Sequence, residues 1–263
     1  QKIRANVSTT FHPDVFAAFV QASAPDIFWI EINNLELDQL FRQVDSSMNF
    51  DLTLENVLDF ALTISRIIDF RRHFTASHSY TVANLACELG KIFGFSRERC
   101  LKLKISGYLH DIGKIGVDPG LIEKGGPLTD DEFDQVKLPT YYTGQILSSL
   151  SISEWFYEIV LWAKNHHEKV DGSGYPYSLQ DENLDVGSKI LAFSDVIAAL
   201  MEDRPYRKSL PIDTAFEIIR KSISAKISDQ MFDVIEGHKD EINAIVLQCQ
   251  QNISEQYRPE AAL

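Results

Sequence analysis

Cysteine is scarce in this 263-residue chain: Cys87, Cys100 and Cys249 are widely spaced and form no CxxC pair. That excludes a disulfide framework and makes a reducing cytoplasm the expected compartment. The three thiols are expected to be small core residues. No apolar run is long enough to span a bilayer, and no signal peptide is visible. Positive charge is also short, with 25 Lys and Arg against 38 Asp and Glu, for a net charge of −13. A surface this acidic excludes general binding to nucleic acid polymers or anionic membranes. It leaves room for a small anionic substrate, because a local metal or basic cluster reverses the field inside a cleft.

Hydrophobic residues make up 44% of the chain, enough for a sizeable core, so disorder is expected only at the tail, Glu255 to Leu263. The chain begins at Gln1 rather than Met, so a preceding segment of a longer protein is a candidate. The dominant period is helical. Leu54, Val57, Leu58, Ala61, Leu62 and Ile68 share one face; Val82, Leu85, Ala86, Leu89 and Phe93 share another. Leu101, Ile105, Tyr108 and Leu109 form a third, and Ile242, Ile245, Val246 and Cys249 repeat the pattern. Capping boxes at Thr129 with Glu132 and Ser151 with Glu154 mark helix starts. Glycine and proline gather in Gly113 to Pro127 and in Asp171 to Pro176, with no alternating strand pattern beside them. These features predict an all-α fold with two functional loops. Residues 1–50 read as a separate helical lead-in or the end of a preceding domain, and residues 51–263 as the main domain with C-terminal helices.

Four of the seven histidines sit in suggestive places. His110 is followed by Asp111 at the end of an apolar helix, His166 and His167 are adjacent, and His78 lies near a helix start. Asp195 interrupts the apolar run Ile190 to Leu200 and needs a partner, either a metal or Arg204. Imidazole and carboxylate together suit borderline metals, and helical bundles build such sites from facing helices. Gly113 and Gly116 are expected to let the backbone turn away after His110-Asp111, so that the two ligands can diverge toward two metals and the two oxygens of Asp111 could bridge them. His12, His73 and His238 are expected to be ordinary core or surface residues.

These stretches resemble the HD-GYP subfamily of HD-domain phosphohydrolases. His110-Asp111-Ile112-Gly113-Lys114-Ile115-Gly116 matches the HD motif, His166 to Pro176 the Gly-Tyr-Pro motif, and Arg204-Pro205-Tyr206-Arg207 a further downstream block. The resemblance covers roughly residues 51–210 and implies an all-helical HD-domain bundle with a buried metal centre. It assigns His78, His110, Asp111 and Asp195 to one metal and Asp111, His166 and His167 to a second, iron or manganese being usual. The implied activity is hydrolysis of a cyclic dinucleotide, cyclic di-GMP or 3′,3′-cyclic GMP-AMP, to a linear dinucleotide. Asp111 and Lys114 would be catalytic, Lys114 facing the scissile phosphate. Arg204 and Arg207 would clamp a phosphate or a guanine edge, or else pair with Asp203 or Asp195. Tyr175 would shape the substrate entrance or a partner surface, and Glu168 would orient a ligand His or be a solvated charge. A protein partner at the Gly-Tyr-Pro loop and a homodimer are further candidates.

The chain departs from the family in three places. The His of a His-Pro pair that binds the second metal is replaced by Pro139 or Thr140, depending on register. The Glu that supports a third metal is Phe74, and a second Asp after Asp195 is Ala198. The second metal is therefore expected to bind more weakly than the first. A branch with a degenerate HD domain before the catalytic one fits best, Phe11 to Ile30 being its end. The rival reading is a catalytically weak or inactive domain that binds a nucleotide or a protein; a nucleotide monophosphohydrolase is the second rival.

Overall fold

The computed structural model describes residues 13–22, 53–70, 77–117, 129–150, 154–203, 207–222 and 227–256. Every regular element among them is helical; extended pairing there is confined to isolated bridge positions such as the one between Asp171 and Gln180. The chain divides into two compact units, Gln1–Asn49 and Phe50–Leu263. The first contributes helix α1 (Pro13–Ala22), where Val15, Phe19 and Val20 are exposed. The rest of Phe11 to Ile30, together with Phe74, His12 and His73, lies outside the described residues.

The second unit contains α2 (Leu54–Phe70), α3 (His78–Ile92), α4 (Arg97–Leu109), α5 (Asp130–Ser149), α6 (Tyr157–Asn165), α7 (Val186–Leu200), α8 (Ile212–Ser222), α9 (Asp229–Glu236) and α10 (Lys239–Gln256). Short 3-10 turns cover Ile112–Gly116, Glu154–Phe156 and Asp181–Asn183. The apolar spacing explains the packing. Val82, Leu85, Ala86 and Leu89 of α3 are fully buried and join Leu103, Ile190, Phe193, Ile197, Ile242 and Val246 in one core. The cysteines are free and buried. No helix among the described residues is long and apolar enough to cross a membrane.

Local chemistry sets the helix ends that matter for the site. Ser96 caps α4 by accepting Arg99 N at 3.2 Å. Asp185 caps α7 by accepting Ser188 N at 2.8 Å with Oδ1, while its Oδ2 accepts the buried Trp162 indole at 2.6 Å. One carboxylate thereby starts the helix that carries Asp195 and pins the helix that leads into His166. Helix α5 begins at Asp130, directly after Thr129. It carries Pro139 in its interior. Ser151 lies outside the described residues, and Glu154 opens a 3-10 turn.

Candidate metal centre

Four elements bring His78, His110, Asp111, His166, His167 and Asp195 together. His78 is the first residue of α3, His110 and Asp111 follow α4, His166 and His167 follow α6, and Asp195 lies in the middle of α7. Three overlapping groups have their ligand atoms within 4.8 Å of one another: His78 with His110 and Asp195, His110 with Asp111 and His166, and His166 with His167 and Asp195.

The imidazoles are oriented for coordination. Nδ1 of His110 donates to Gly107 O at 2.8 Å, and Nδ1 of His166 donates to Ala163 O at 2.6 Å. Each proton on Nδ1 leaves the Nε2 lone pair available. Both Nε2 atoms are buried and have no hydrogen-bond partner. Two buried acceptors of this kind are costly unless a ligand takes them. The donor set, imidazole nitrogens with the oxygens of Asp111 and Asp195, suits a divalent transition ion, so these residues fit a metal.

Asp195 meets histidines; Arg204, the other partner anticipated for it, lies outside the described residues. Its Oδ1 is 3.1 Å from Nε2 of His78 and 3.8 Å from Nε2 of His110, and its Oδ2 is 3.9 Å from Nδ1 of His167. Burial alone would raise its carboxyl. The His78 hydrogen bond and the charges of His110, His78 and His167 outweigh that and hold it well below the ordinary value. His78 is raised to about 10, since bonds to Asp195 and Glu202 overcome the burial that would lower it. His166 is lowered to about 4, by burial and then by the neighbouring His110.

Lys114 pairs with Asp111 Oδ2, so its ammonium sits at the edge of the cluster. Gly113 does not turn the backbone through a left-handed conformation, and neither does Gly116. What Gly113 supplies is space: a Cβ there would lie 1.9 Å from Pro139 O of α5. Thr143 completes that junction. Its Oγ1 accepts Gly113 N at 3.0 Å and donates to His110 O at 2.9 Å. Pro139 and Thr140 are both buried beside this contact, and neither side chain offers an imidazole.

The second loop is built around Glu168. Its carboxylate neither orients a ligand histidine nor faces solvent. It is 1% exposed and accepts Tyr177 N at 2.6 Å and Leu179 N at 2.9 Å. This clasp carries Tyr175 to His167, with ring centroids 5.0 Å apart. Burial, then the carboxylates of Asp195 and Asp111, push the Tyr175 hydroxyl above its ordinary value. Tyr175 therefore remains a hydrogen-bond donor at neutral pH. The Tyr175-Pro176 peptide is cis.

Arg207 has other partners than expected. It donates to the carbonyls of Leu200, Lys208 and Ala199 at 2.8, 2.9 and 2.8 Å, so it caps the end of α7. Asp203 pairs with Lys208 at 2.7 Å instead. His238 is the ordinary residue anticipated, with Nδ1 2.9 Å from Val234 O.

Comparison with known proteins agrees with this geometry. A profile of the HD domain matches residues 63–229. The chain is 30% identical to 3′3′-cGAMP-specific phosphodiesterase 1 of Vibrio cholerae, over 86% of this chain and 52% of that protein. It is 31% identical to a cyclic di-GMP phosphodiesterase of Thermotoga maritima, over 73% of this chain and 49% of that one. The chain thus spans about half the length of these relatives. Among solved structures, it is similar to a V. cholerae cyclic GMP-AMP phosphodiesterase (V-cGAP3), with a TM-score of 0.57 and 12% identity, over 79% of this chain and 55% of the other. It is also similar to the HDG"Y"P protein Bd1817 of Bdellovibrio bacteriovorus, with a TM-score of 0.54 and 14% identity, over 74% and 65%. At these identities the structural likeness speaks for the fold.

Proposed function

The chain belongs to the HD-domain family, in its HD-GYP subfamily, and from that premise we propose that it hydrolyses a cyclic dinucleotide to a linear dinucleotide. The substrates proposed are 3′,3′-cyclic GMP-AMP and cyclic di-GMP, the classes named for its relatives. The observation that carries the reading is the pair of buried Nε2 atoms, on His110 and His166, set among Asp111, Asp195 and His167 with no hydrogen-bond partner of their own.

Two divalent ions are proposed, iron or manganese. Following the family resemblance, His78, His110, Asp111 and Asp195 would hold the first, and Asp111, His166 and His167 the second; all six belong to the overlapping groups described above. Bound ions of this kind supply Lewis-acid polarisation of phosphoryl oxygens and a lowered pKa for water. The protein supplies the rest. Asp111 spans both sets of ligands. Lys114, already drawn to Asp111, brings positive charge to where the phosphoryl oxygens gain negative charge. Tyr175 places a protonated phenol beside His167, able to donate to a substrate oxygen. Arg207 acts by fixing the end of α7, which carries Asp195, and Arg204 is the remaining candidate for a phosphate or base contact. We assign the activity to residues 51–263 and propose the cytoplasm as its compartment.

The test is cleavage of both cyclic dinucleotides in added Mn²⁺, beside a His110→Ala/Asp111→Ala variant. Linear product that disappears in the variant supports the proposal, and the faster substrate names the preference. Absence of product with metal bound would turn the reading to a nucleotide-binding module; orthophosphate release would turn it to a phosphomonoesterase.

A further inference from the structure

Glu202 sits two residues beyond the end of α7 and is 7% exposed, while the adjacent Asp203 is on the surface. A buried carboxylate needs partners. Its Oε1 accepts the Ser77 hydroxyl at 2.8 Å, across 125 residues of sequence. Its Oε2 lies 3.5 Å from Nδ1 of His78. That nitrogen is fully buried and makes no hydrogen bond of normal geometry. The other ring nitrogen, Nε2, is 3.1 Å from Oδ1 of Asp195.

A neutral imidazole has one N–H and one lone pair. A cation shared by His78 and Asp195 takes the Nε2 lone pair, so the proton must then sit on Nδ1. A buried N–H without an acceptor is costly, and a ligand ring without one is free to turn. Glu202 stands where that acceptor is needed, and Ser77 holds its other oxygen in place. His110 and His166 solve the same problem with the carbonyls of Gly107 and Ala163. His78 opens α3, so no preceding turn of that helix offers it a carbonyl.

We propose that Glu202 is the positioning residue of His78: it accepts Nδ1–H, fixes the tautomer that coordinates through Nε2, and thereby sets the affinity of the first metal site. The inference rests on the metal-centre reading above.

The test combines Mn²⁺ titration of the wild type, Glu202→Ala and Glu202→Gln with ¹⁵N spectra of the His78 ring in Zn²⁺-loaded wild type. Glu202→Ala is expected to weaken the tighter site by about 10–100-fold. Glu202→Gln keeps an amide oxygen for Nδ1–H and is expected to recover most of that loss. The Zn²⁺-loaded ring is expected as the Nδ1–H tautomer. An unchanged affinity in Glu202→Ala, equal losses in both variants, or an Nε2–H ring in the loaded wild type would overturn the assignment. The spectrum decides the matter even if Glu202→Ala does not fold. A wild type that binds no Mn²⁺ would instead sink the metal-centre reading itself.

Discussion

Gly174 lies flat against the backbone of Glu168: a Cβ built on it would sit 2.4 Å from Cα of Glu168. The same atom would be 2.4 Å from N of Lys169. Both neighbours are backbone, so neither can swing aside. The loop that Glu168 clasps through Tyr177 N and Leu179 N would have to lift away. Gly174→Ala is expected to destabilise the protein by about 1–3 kcal/mol, the usual cost of overpacking. Denaturant unfolding measures it. Activity should fall further than stability, since Tyr175 is carried on the displaced loop. A variant with wild-type stability and rate would show that the loop does not need this close approach.

Thr143 offers a second test, at the junction of Gly113 and His110. Thr143→Val keeps the shape but removes the hydroxyl that joins Gly113 N to His110 O. A buried amide left without an acceptor costs about 1–3 kcal/mol. Thr143→Ser restores the oxygen and is expected to recover most of the stability. Thermal unfolding of the two variants separates lost hydrogen bonding from lost packing. Equal stability in Thr143→Val and the wild type would mean that this junction contributes nothing.

Much of the helical frame was legible because Val82, Leu85, Ala86 and Leu89 repeat at the spacing of one helix face and bury together. The candidate ligands were legible for a related reason. His110-Asp111 and His166-His167 are adjacent residues at helix ends, a pattern that packing alone does not call for. Thr143, Glu168 and Glu202 were not legible in the same way. Their partners lie 33, 11 and 125 residues away, and one polar residue leaves no period in a sequence. The partners of Arg207 were left open by the sequence for a chemical reason. A guanidinium has five donors that suit a phosphate, a carboxylate or helix-end carbonyls equally well. Only the fold shows that Leu200 and Ala199 take them. Gly113 was rightly seen as required, but for a turn; the requirement is the Pro139 carbonyl pressed against it.

Asp69 gives a pH-dependent prediction. It is 3% exposed and accepts both the amide and the hydroxyl of Ser79, at 3.2 and 2.9 Å. Burial raises its carboxyl from 3.8 to about 6, against the opposing charge of His78 and the Ser79 bonds. Folded protein then holds a proton that the unfolded chain has released between those two values. The stability from this group is present below the lower value and lost as pH rises through the upper one. Asn at this position does not titrate. The stability of wild type relative to Asp69→Asn should therefore fall by about 1–1.5 kcal/mol between about pH 5 and about pH 7.5. Paired denaturation curves at the two pH values check it. A flat difference, or one that grows with pH, would contradict the raised carboxyl.

The two metal sites should differ in affinity, and the reason lies in α5. The first proposed set has four side chains, His78, His110, Asp111 and Asp195, while the second, as the family resemblance assigns it, has three, Asp111, His166 and His167. Pro139 and Thr140 stand where an additional imidazole is expected, and both are buried without offering one. An ion held by fewer protein ligands keeps more solvent in its coordination sphere and leaves more readily. Mn²⁺ titration of chelator-stripped protein should thus show two steps, the weaker by at least about 10-fold, taking outer-ligand losses as the guide. Hydrolysis should follow the second step, because the proposed centre would need both ions to supply its chemistry. His166→Ala should abolish the weak step and leave the tight one close to wild type, since His166 belongs to the second set. Loss of the tight step in that variant, or one uniform step in the wild type, would show that the six side chains act as a single site and would redraw the division between them.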